Sequence, residues 1–186
     1  YVAWEDKNKP DVLSKHGLDD SKPIFLLGTG ANGVNRHQEV IRAIKYAGID
    51  GQVVALCGSN QLTYEEVSRI PSTSNLIIKA LPKIEACTMV ELLNISSWIL
   101  ARPGAGLTTE AIVTGCPVIF DLSGGCMPQE RNNLNFWHQR TGDLITSSSP
   151  NQLVNIIRSE RKIPRLKIPL ESSPRVLLDG LTNLIR

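Results

Sequence analysis

Three glycines, Gly28, Gly30 and Gly33, close the apolar start of the run IFLLGTGANGVNRH. This G-x-G-x-x-G spacing lets a backbone bring its N–H groups up to a phosphate at the start of a helix, where free amides and the helix dipole both favour an anion. A dinucleotide would require in addition a carboxylate at the end of the second strand, about 20 residues on, to hold the ribose hydroxyls. The second apolar run, QVVALC, ends instead in Gly58-Ser59-Asn60, and Asp50 stands before it. The glycines therefore suit the phosphate of another nucleotide better than that of a dinucleotide. A tight strand-to-helix turn without a ligand also stays open. A carboxylate does occur further on, at Glu110 in RPGAGLTTEAIVTGCPVIF. In the first turn of a helix beside the strand ends, it can accept two charge-assisted hydrogen bonds from a ribose diol. It can equally complement the helix dipole with no ligand at all, and position alone does not separate the two. Arg36, Arg102 and Arg131 lie in or beside the same stretches, each able to meet a phosphate.

Positioning such residues takes a sheet whose strands end along one edge. Apolar runs suited to strands buried on both faces recur at Ile24 to Leu27, Gln52 to Cys57, Leu76 to Lys79, Trp98 to Ala101 and Val118 to Phe120, with a weaker one at Leu144 to Ile145. Helical patterns lie between them. Val40, Ile41, Ile44 and Ala47 form a stripe that Gly48 ends. Thr63 with Glu66, and Thr88 with Glu91, have capping-box spacing and predict two helix starts. Thr108 opens another helix, which stops at Gly115; Pro128 to Arg140 is helical, and Ser149-Pro150 reads as an N-cap with proline at the first helical position. The alternation predicts an α/β fold: a Rossmann-like doubly wound parallel sheet of about six strands with helices on both faces. Residues 1–22 read as a linker with at most one short helix around Val12 to His16, residues 23–162 as the nucleotide-binding domain, and residues 163–186 as a Pro-rich tail with a C-terminal amphipathic helix.

Composition narrows the class. The chain has 186 residues, 41% hydrophobic and 20% charged, with a formal net charge of +2, as in one soluble globular domain rather than a nucleic-acid-coating protein. Cys57, Cys87, Cys116 and Cys126 are too far apart for a CxxC clip and read as reduced core or near-core residues. His16, His37 and His138 show no metal-ligand spacing and read as surface or rim residues, with His37, close to the expected cleft, the first exception to look for. No apolar stretch approaches the roughly 20 residues of a membrane span, and no signal peptide is present, so a cytoplasmic protein is expected. A start at Tyr1 without Met suits a piece of something longer.

RPGAGLTTEAIVTGCPVIF resembles the nucleotide-sugar signature of GT-B glycosyltransferases. The likeness is to the C-terminal donor domain shared by the lipid II N-acetylglucosaminyltransferase and the diacylglycerol sugar transferases, monogalactosyldiacylglycerol synthase among them. What is shared is small and Gly residues, a Leu/Thr-rich helix start, a Glu, then a spacer ending in Gly-x-Pro and an apolar strand. The resemblance implies Glu110 as ribose ligand. It implies Gly104, Ala105 and Gly106 at the donor diphosphate, together with Gly28, Gly30, Ala31, Asn32 and Gly33, and Arg36 and Arg102 stand beside these loops as further candidates for it. Met127-Pro128-Gln129-Glu130-Arg131-Asn132-Asn133 resembles the family's Pro-Gly-Gln-Glu-x-x-Asn stretch, which implies Gln129, Glu130, Asn132 and Asn133 around the donor sugar. The glycine of that pattern is absent here, since Pro128 precedes Gln129. The family's uracil pocket, made largely of backbone just after the third strand, maps onto Ala80, Leu81 and Pro82.

The resemblance further implies glycosyl transfer from a UDP-sugar to an acceptor hydroxyl, with no metal and no cofactor. The general base would come from an N-terminal acceptor-binding domain or a separate subunit, so the chain alone is expected to bind donor without turning it over. Membrane contact would come only through that missing half, and no nucleic acid is involved. Two other readings are a natural one-domain subunit of a two-subunit glycosyltransferase and a nucleotide-binding regulatory or redox module.

Overall fold

The apolar runs become strands because a packed layer lies on either side of each. In the computed structural model, which describes residues 8–28 and 36–168, the strands β1 (Ile24–Leu27), β2 (Gly51–Gly58), β3 (Leu76–Pro82), β4 (Trp98–Ala101), β5 (Val118–Asp121) and β6 (Thr146–Ser147) form one parallel sheet. Its order is β3-β2-β1-β4-β5-β6. Successive residues of a strand face opposite sides. Leu26, Val54, Leu56, Ile99 and Phe120 therefore pack with α1 (Lys9–His16), α4 (Ala86–Ile95), α5 (Ala105–Thr114) and α6 (Pro128–Thr141). Phe25, Leu27, Val53, Ala55 and Ile119 pack with α2 (His37–Tyr46), α3 (Gln61–Ser68) and α7 (Pro150–Arg158). Phe25 stacks on Trp98 with ring centroids 4.6 Å apart, and Phe120 and Trp137 pack as a T with centroids 5.4 Å apart. This is the Rossmann-like doubly wound α/β sheet that the alternation predicts.

The order fixes where a ligand can enter. The chain steps from β1 to β2 to β3, then crosses back through α4 to β4 on the other side of β1. The elements following β1 and β4 thus leave for opposite faces, α2 to one and α5 to the other. In doubly wound sheets the crevice opens at such a switch point, at the carboxyl ends of the strands.

Several boundaries differ from the sequence expectation, for identifiable reasons. At α3 the N-cap is Asn60, whose side chain accepts from Thr63 N at 3.0 Å, so Thr63 lies inside the helix. Helix α4 starts at Ala86 and α5 at Ala105, each without a side-chain cap, although Thr88 and Thr108 carried the predicted starts. The predicted cap at Ser149 is found, its hydroxyl accepting from Gln152 N at 3.2 Å. β6 begins directly after the predicted run, shifted by two residues. His16 and His37 are buried rather than on the surface: His16 pairs with Glu91 at 3.0 Å, and His37 Nε2 lies 2.8 Å from Leu56 O. Cys57 and Cys116 are buried as expected, but Cys87 is exposed.

Helix α1, within the stretch read as a linker, buries Val12 and Leu13 in the same core as Leu92 and Leu93 of α4. Further along, Ile168 N donates to Ile112 O at 3.3 Å, which lays the start of the Pro-rich segment against α5. The predicted C-terminal helix lies outside the described residues.

Candidate functional site

The site begins where β1 and β4 end together. Gly28 N donates to Leu100 O at 2.8 Å, carrying the ladder one residue past β1. A Cβ on Gly28 would stand 2.9 Å from Leu107 Cδ2, 3.2 Å from Leu100 O and 3.3 Å from Ala101 Cβ. Only bare backbone passes there, between β4 and the first turn of α5. Gly30, Ala31, Asn32 and Gly33 lie outside the described residues. Arg36 precedes α2, and its Nε donates to Glu39 at 2.9 Å. That bond first, and the charge of Asp121 at longer range, raise the guanidinium's pKa above its usual value.

Across the switch point, α5 begins with an open end. Gly104 has an ordinary extended conformation (φ −74°, ψ 147°), and Cβ atoms built on Gly104 and Gly106 would meet nothing within 4 Å. Neither left-handed backbone nor internal packing calls for glycine at these two positions, and their effect is to leave the helix start bare. Among the described residues, no side chain caps it, and no partner is found for the N–H groups of Ala105, Gly106 and Leu107. One turn in, the Thr108 hydroxyl is buried without a hydrogen-bond partner, which natural structures seldom tolerate unless something else comes to it.

Glu110 is the sixth residue of α5, in its second turn, because the helix starts three residues before Thr108. This corrects the expected first-turn placement and weakens the purely electrostatic account, since the dipole's effect falls off within the first turn. The side chain is half-buried, and among the described residues nothing pairs with its carboxylate. Burial alone raises its pKa above the ordinary carboxylate value.

The sugar-side residues divide into two groups. Glu130, expected to meet sugar hydroxyls, is already engaged, and this is a correction. Its Oε1 accepts from Arg102 Nε at 3.1 Å, and its Oε2 accepts from Arg102 Nη2 at 2.8 Å and from Met127 N at 2.8 Å. The Glu130 side chain is 4% exposed. Burial opposes its charged form, but the Arg102 guanidinium and the Met127 N–H outweigh it and hold the pKa below the usual value. Arg102, expected at the diphosphate, is correspondingly committed, with Nη2 also donating to Gly125 O at 3.0 Å. Asn133 Nδ2 donates to Pro103 O at 2.7 Å. Gln129 and Asn132, by contrast, are exposed at the start of α6, and Gln129 Nε2 has only Met127 Sδ at 3.4 Å.

At the far side of the sheet, Ala80, Leu81 and Pro82 are the last residues of β3 rather than a loop after it. β3 is an edge strand. In a parallel strand the N–H and C=O of one residue point to the same neighbour and alternate along the chain. Leu76 and Ile78 face outward, since Leu76 N donates to Thr73 Oγ1 at 3.1 Å and Ile78 N to Ser72 Oγ at 2.9 Å. Ala80 is next in that series. Its N–H and C=O face away from β2, and no partner for them is found among the described residues, whereas the Leu81 backbone faces β2. Of the three expected positions, Ala80 alone can offer an adjacent donor and acceptor to a base.

Asp121, at the carboxyl end of β5, was not picked out from sequence. Its Oδ1 accepts from Ser123 N at 2.9 Å, and its charge is felt by Arg36, His37 and Arg102. With Arg36, Ser123, Ser147 and Ser149 it lines a small hollow over the ends of β4 to β6. A strand-terminal acid in the run VIFD was the available signal.

Among the described residues, no group of three His, Cys, Asp or Glu side chains could hold a metal ion. Among them also, no helix is long and apolar enough to cross a membrane.

No protein-family model matches the chain. In sequence it is similar to the processive diacylglycerol beta-glucosyltransferase of Bacillus pumilus, 26% identical over 186 aligned residues, with 96% of this chain and 48% of that protein covered. The chain spans about half the length of the curated relatives it matches. In fold it is similar to WaaG, a glycosyltransferase involved in lipopolysaccharide biosynthesis, with a TM-score of 0.57 and 16% identity over 86% of this chain and 43% of that one. It is also similar to the UDP-GlcNAc 2-epimerase of Methanocaldococcus jannaschii, solved with UDP-GlcNAc and UDP, with a TM-score of 0.56 and 14% identity over 96% of this chain and 49% of that one. These two likenesses speak for the fold alone. The resemblance read from the signature segment holds: the sequence relatives are glycosyltransferases, and the chain has the fold of the C-terminal half of a GT-B protein.

Proposed function

We propose that this chain is the donor-binding half of a glycosyltransferase that takes a UDP-sugar and delivers its sugar to an acceptor hydroxyl without a metal ion. The observation that carries the reading is Glu110: a half-buried carboxylate with no partner among the described residues, one turn into a helix whose bare start borders the switch-point crevice. Desolvating a carboxylate without pairing it is unfavourable, and a ribose diol would supply the missing donors. The remaining parts of the nucleotide have matching groups. The free N–H groups of Ala105, Gly106 and Leu107, the Thr108 hydroxyl and the Gly28 to Gly33 segment with Arg36 suit a diphosphate. Ala80 suits the base, and Gln129, Asn132 and the remaining amide oxygen of Asn133 suit the sugar.

In this reading the chemistry is electrostatic. Negative charge builds on the departing diphosphate, and preoriented amides at a helix start stabilise it without reorganising. Glu110 positions the donor and takes no proton. The base that activates the acceptor belongs to the other half, an N-terminal domain or a separate subunit, and any peripheral contact with a membrane is made there. The sequence relatives use diacylglycerol, by name, which makes a lipid hydroxyl the first acceptor to try.

The test is titration calorimetry with UDP, UDP-glucose, UDP-galactose, UDP-N-acetylglucosamine, NADH and pyrophosphate, with and without EDTA. UDP and at least one UDP-sugar should bind equally well in EDTA, and NADH weakly. Tighter binding of NADH than of UDP would replace this reading with the redox one.

A further inference from the structure

The pair formed by Arg102 and Glu130 joins two loops that the proposed function assigns to different parts of the donor. Arg102 follows β4 and leads into Gly104–Gly106, while Glu130 is the third residue of α6, beside Gln129 and Asn132. The joint is denser than one ion pair. Nε and Nη2 of Arg102 grip both oxygens of Glu130, Nη2 reaches Gly125 O, Glu130 caps Met127 N, and Asn133 ties α6 to Pro103 O. Gly124 completes it, since a Cβ there would stand 2.9 Å from Arg102 Nη1. Every one of these contacts spans the β4–α5 and β5–α6 loops or fixes the start of α6.

Resting on the reading above, we infer that Arg102 and Glu130 are positioning residues that set the distance between the nucleotide-binding end of α5 and the sugar-facing end of α6. Neither touches the donor. The guanidinium fork admits one orientation of the carboxylate, and that orientation fixes where the start of α6 presents Gln129 and Asn132. The sugar is then held at a set reach from a nucleotide that the α5 side has already bound. Loss of the fork should leave the nucleotide its site and let the sugar subsite drift. UDP and UDP-sugar should therefore respond differently.

The experiment compares Glu130→Gln and Arg102→Lys with the unaltered chain, using UDP and the UDP-sugar that binds best. UDP affinity should stay within about threefold, while the ratio of UDP-sugar to UDP affinity should fall about tenfold, the equivalent of about one hydrogen bond to the sugar. A ratio unchanged in both variants overturns the inference, as does an equal loss for both ligands. Backbone amide exchange gives a readout that needs no ligand: in Arg102→Lys, the milder change, residues 102–106 and 124–130 should lose protection together. Loosening of one loop alone also overturns the pairing. If the unaltered chain binds no UDP-sugar, the proposed function fails, and the exchange experiment still decides the coupling.

Discussion

Leu107 lies directly over Gly28, so close that a single added methyl carbon at residue 28 would stand 2.9 Å from its Cδ2. That contact brings the end of β1 against the first turn of α5. Gly28→Ala should cost about 1–3 kcal/mol by overpacking, read from urea denaturation, and should weaken UDP as well. Gly104→Ala, whose Cβ meets open space, should change stability by no more than about 0.5 kcal/mol yet still weaken UDP. Two equally destabilised variants would remove the distinction drawn between these glycines.

Glu110→Gln separates binding from folding. Burial raises the Glu110 pKa in the folded chain, so the native state holds its proton more tightly than the unfolded one, and stability falls as pH rises between the two pKa values. The substitution should therefore stabilise the chain at pH 7 and leave it unchanged below the unfolded pKa. UDP should bind about 1–3 kcal/mol more weakly through loss of charge-assisted bonds, with pyrophosphate unaffected. In the unaltered chain, UDP affinity should decline as pH drops through the raised pKa. Calorimetry across pH checks both.

His37 has the opposite sign. Burial pulls its pKa below the usual 6.5, only partly offset by its bond to Leu56 O and by Asp121. The stability it confers is thus complete above the unfolded pKa and is lost as pH falls through the folded one. His37→Gln, which can still donate to Leu56 O, should flatten the decline in melting temperature on the acid side of pH 6.5. An equally steep decline would show that other groups drive it.

The thiols should react unequally. Burial pushes Cys57 up to about 11 and Cys116 up to about 12, while Cys87 is exposed and Cys126 partly so. Iodoacetamide at pH 8 should label Cys87 first, Cys126 more slowly and the other two only after unfolding, as mass spectrometry of digested peptides can show.

Ala80→Pro tests the outward-facing backbone. Proline removes a single N–H from a strand edge where no ladder bond depends on it. UDP should lose about 0.5–1.5 kcal/mol, and pyrophosphate nothing.

Periodicity carried the fold because the central strands β1, β2, β4 and β5 face two packed layers and are apolar at nearly every position, a pattern that short runs such as IFLL and WILA preserve without context. Helix starts were less legible. At α5 the chain uses no capping side chain, so the Thr-rich stretch at Thr108 drew the expected start away from Gly104. Glu130 shows a deeper limit: its type and place suited a sugar ligand, and only its partner, 28 residues earlier, reveals that the carboxylate is occupied. Asp121 stood at a strand end by the same rule that governs the crevice, and its three charged or titratable neighbours come from the residue after β4 and from the start of α2 rather than from adjacent sequence.

The margin of the sheet at β3 has one more implication. Ser72 and Thr73 plug the first outward amides, and Pro82 has none to offer. An invading peptide would need an unbroken row of free groups to zip onto this border, and it would find a gap one residue wide. Self-association into fibrils is thereby discouraged, whereas the proposed base site asks for no more than one donor and one acceptor.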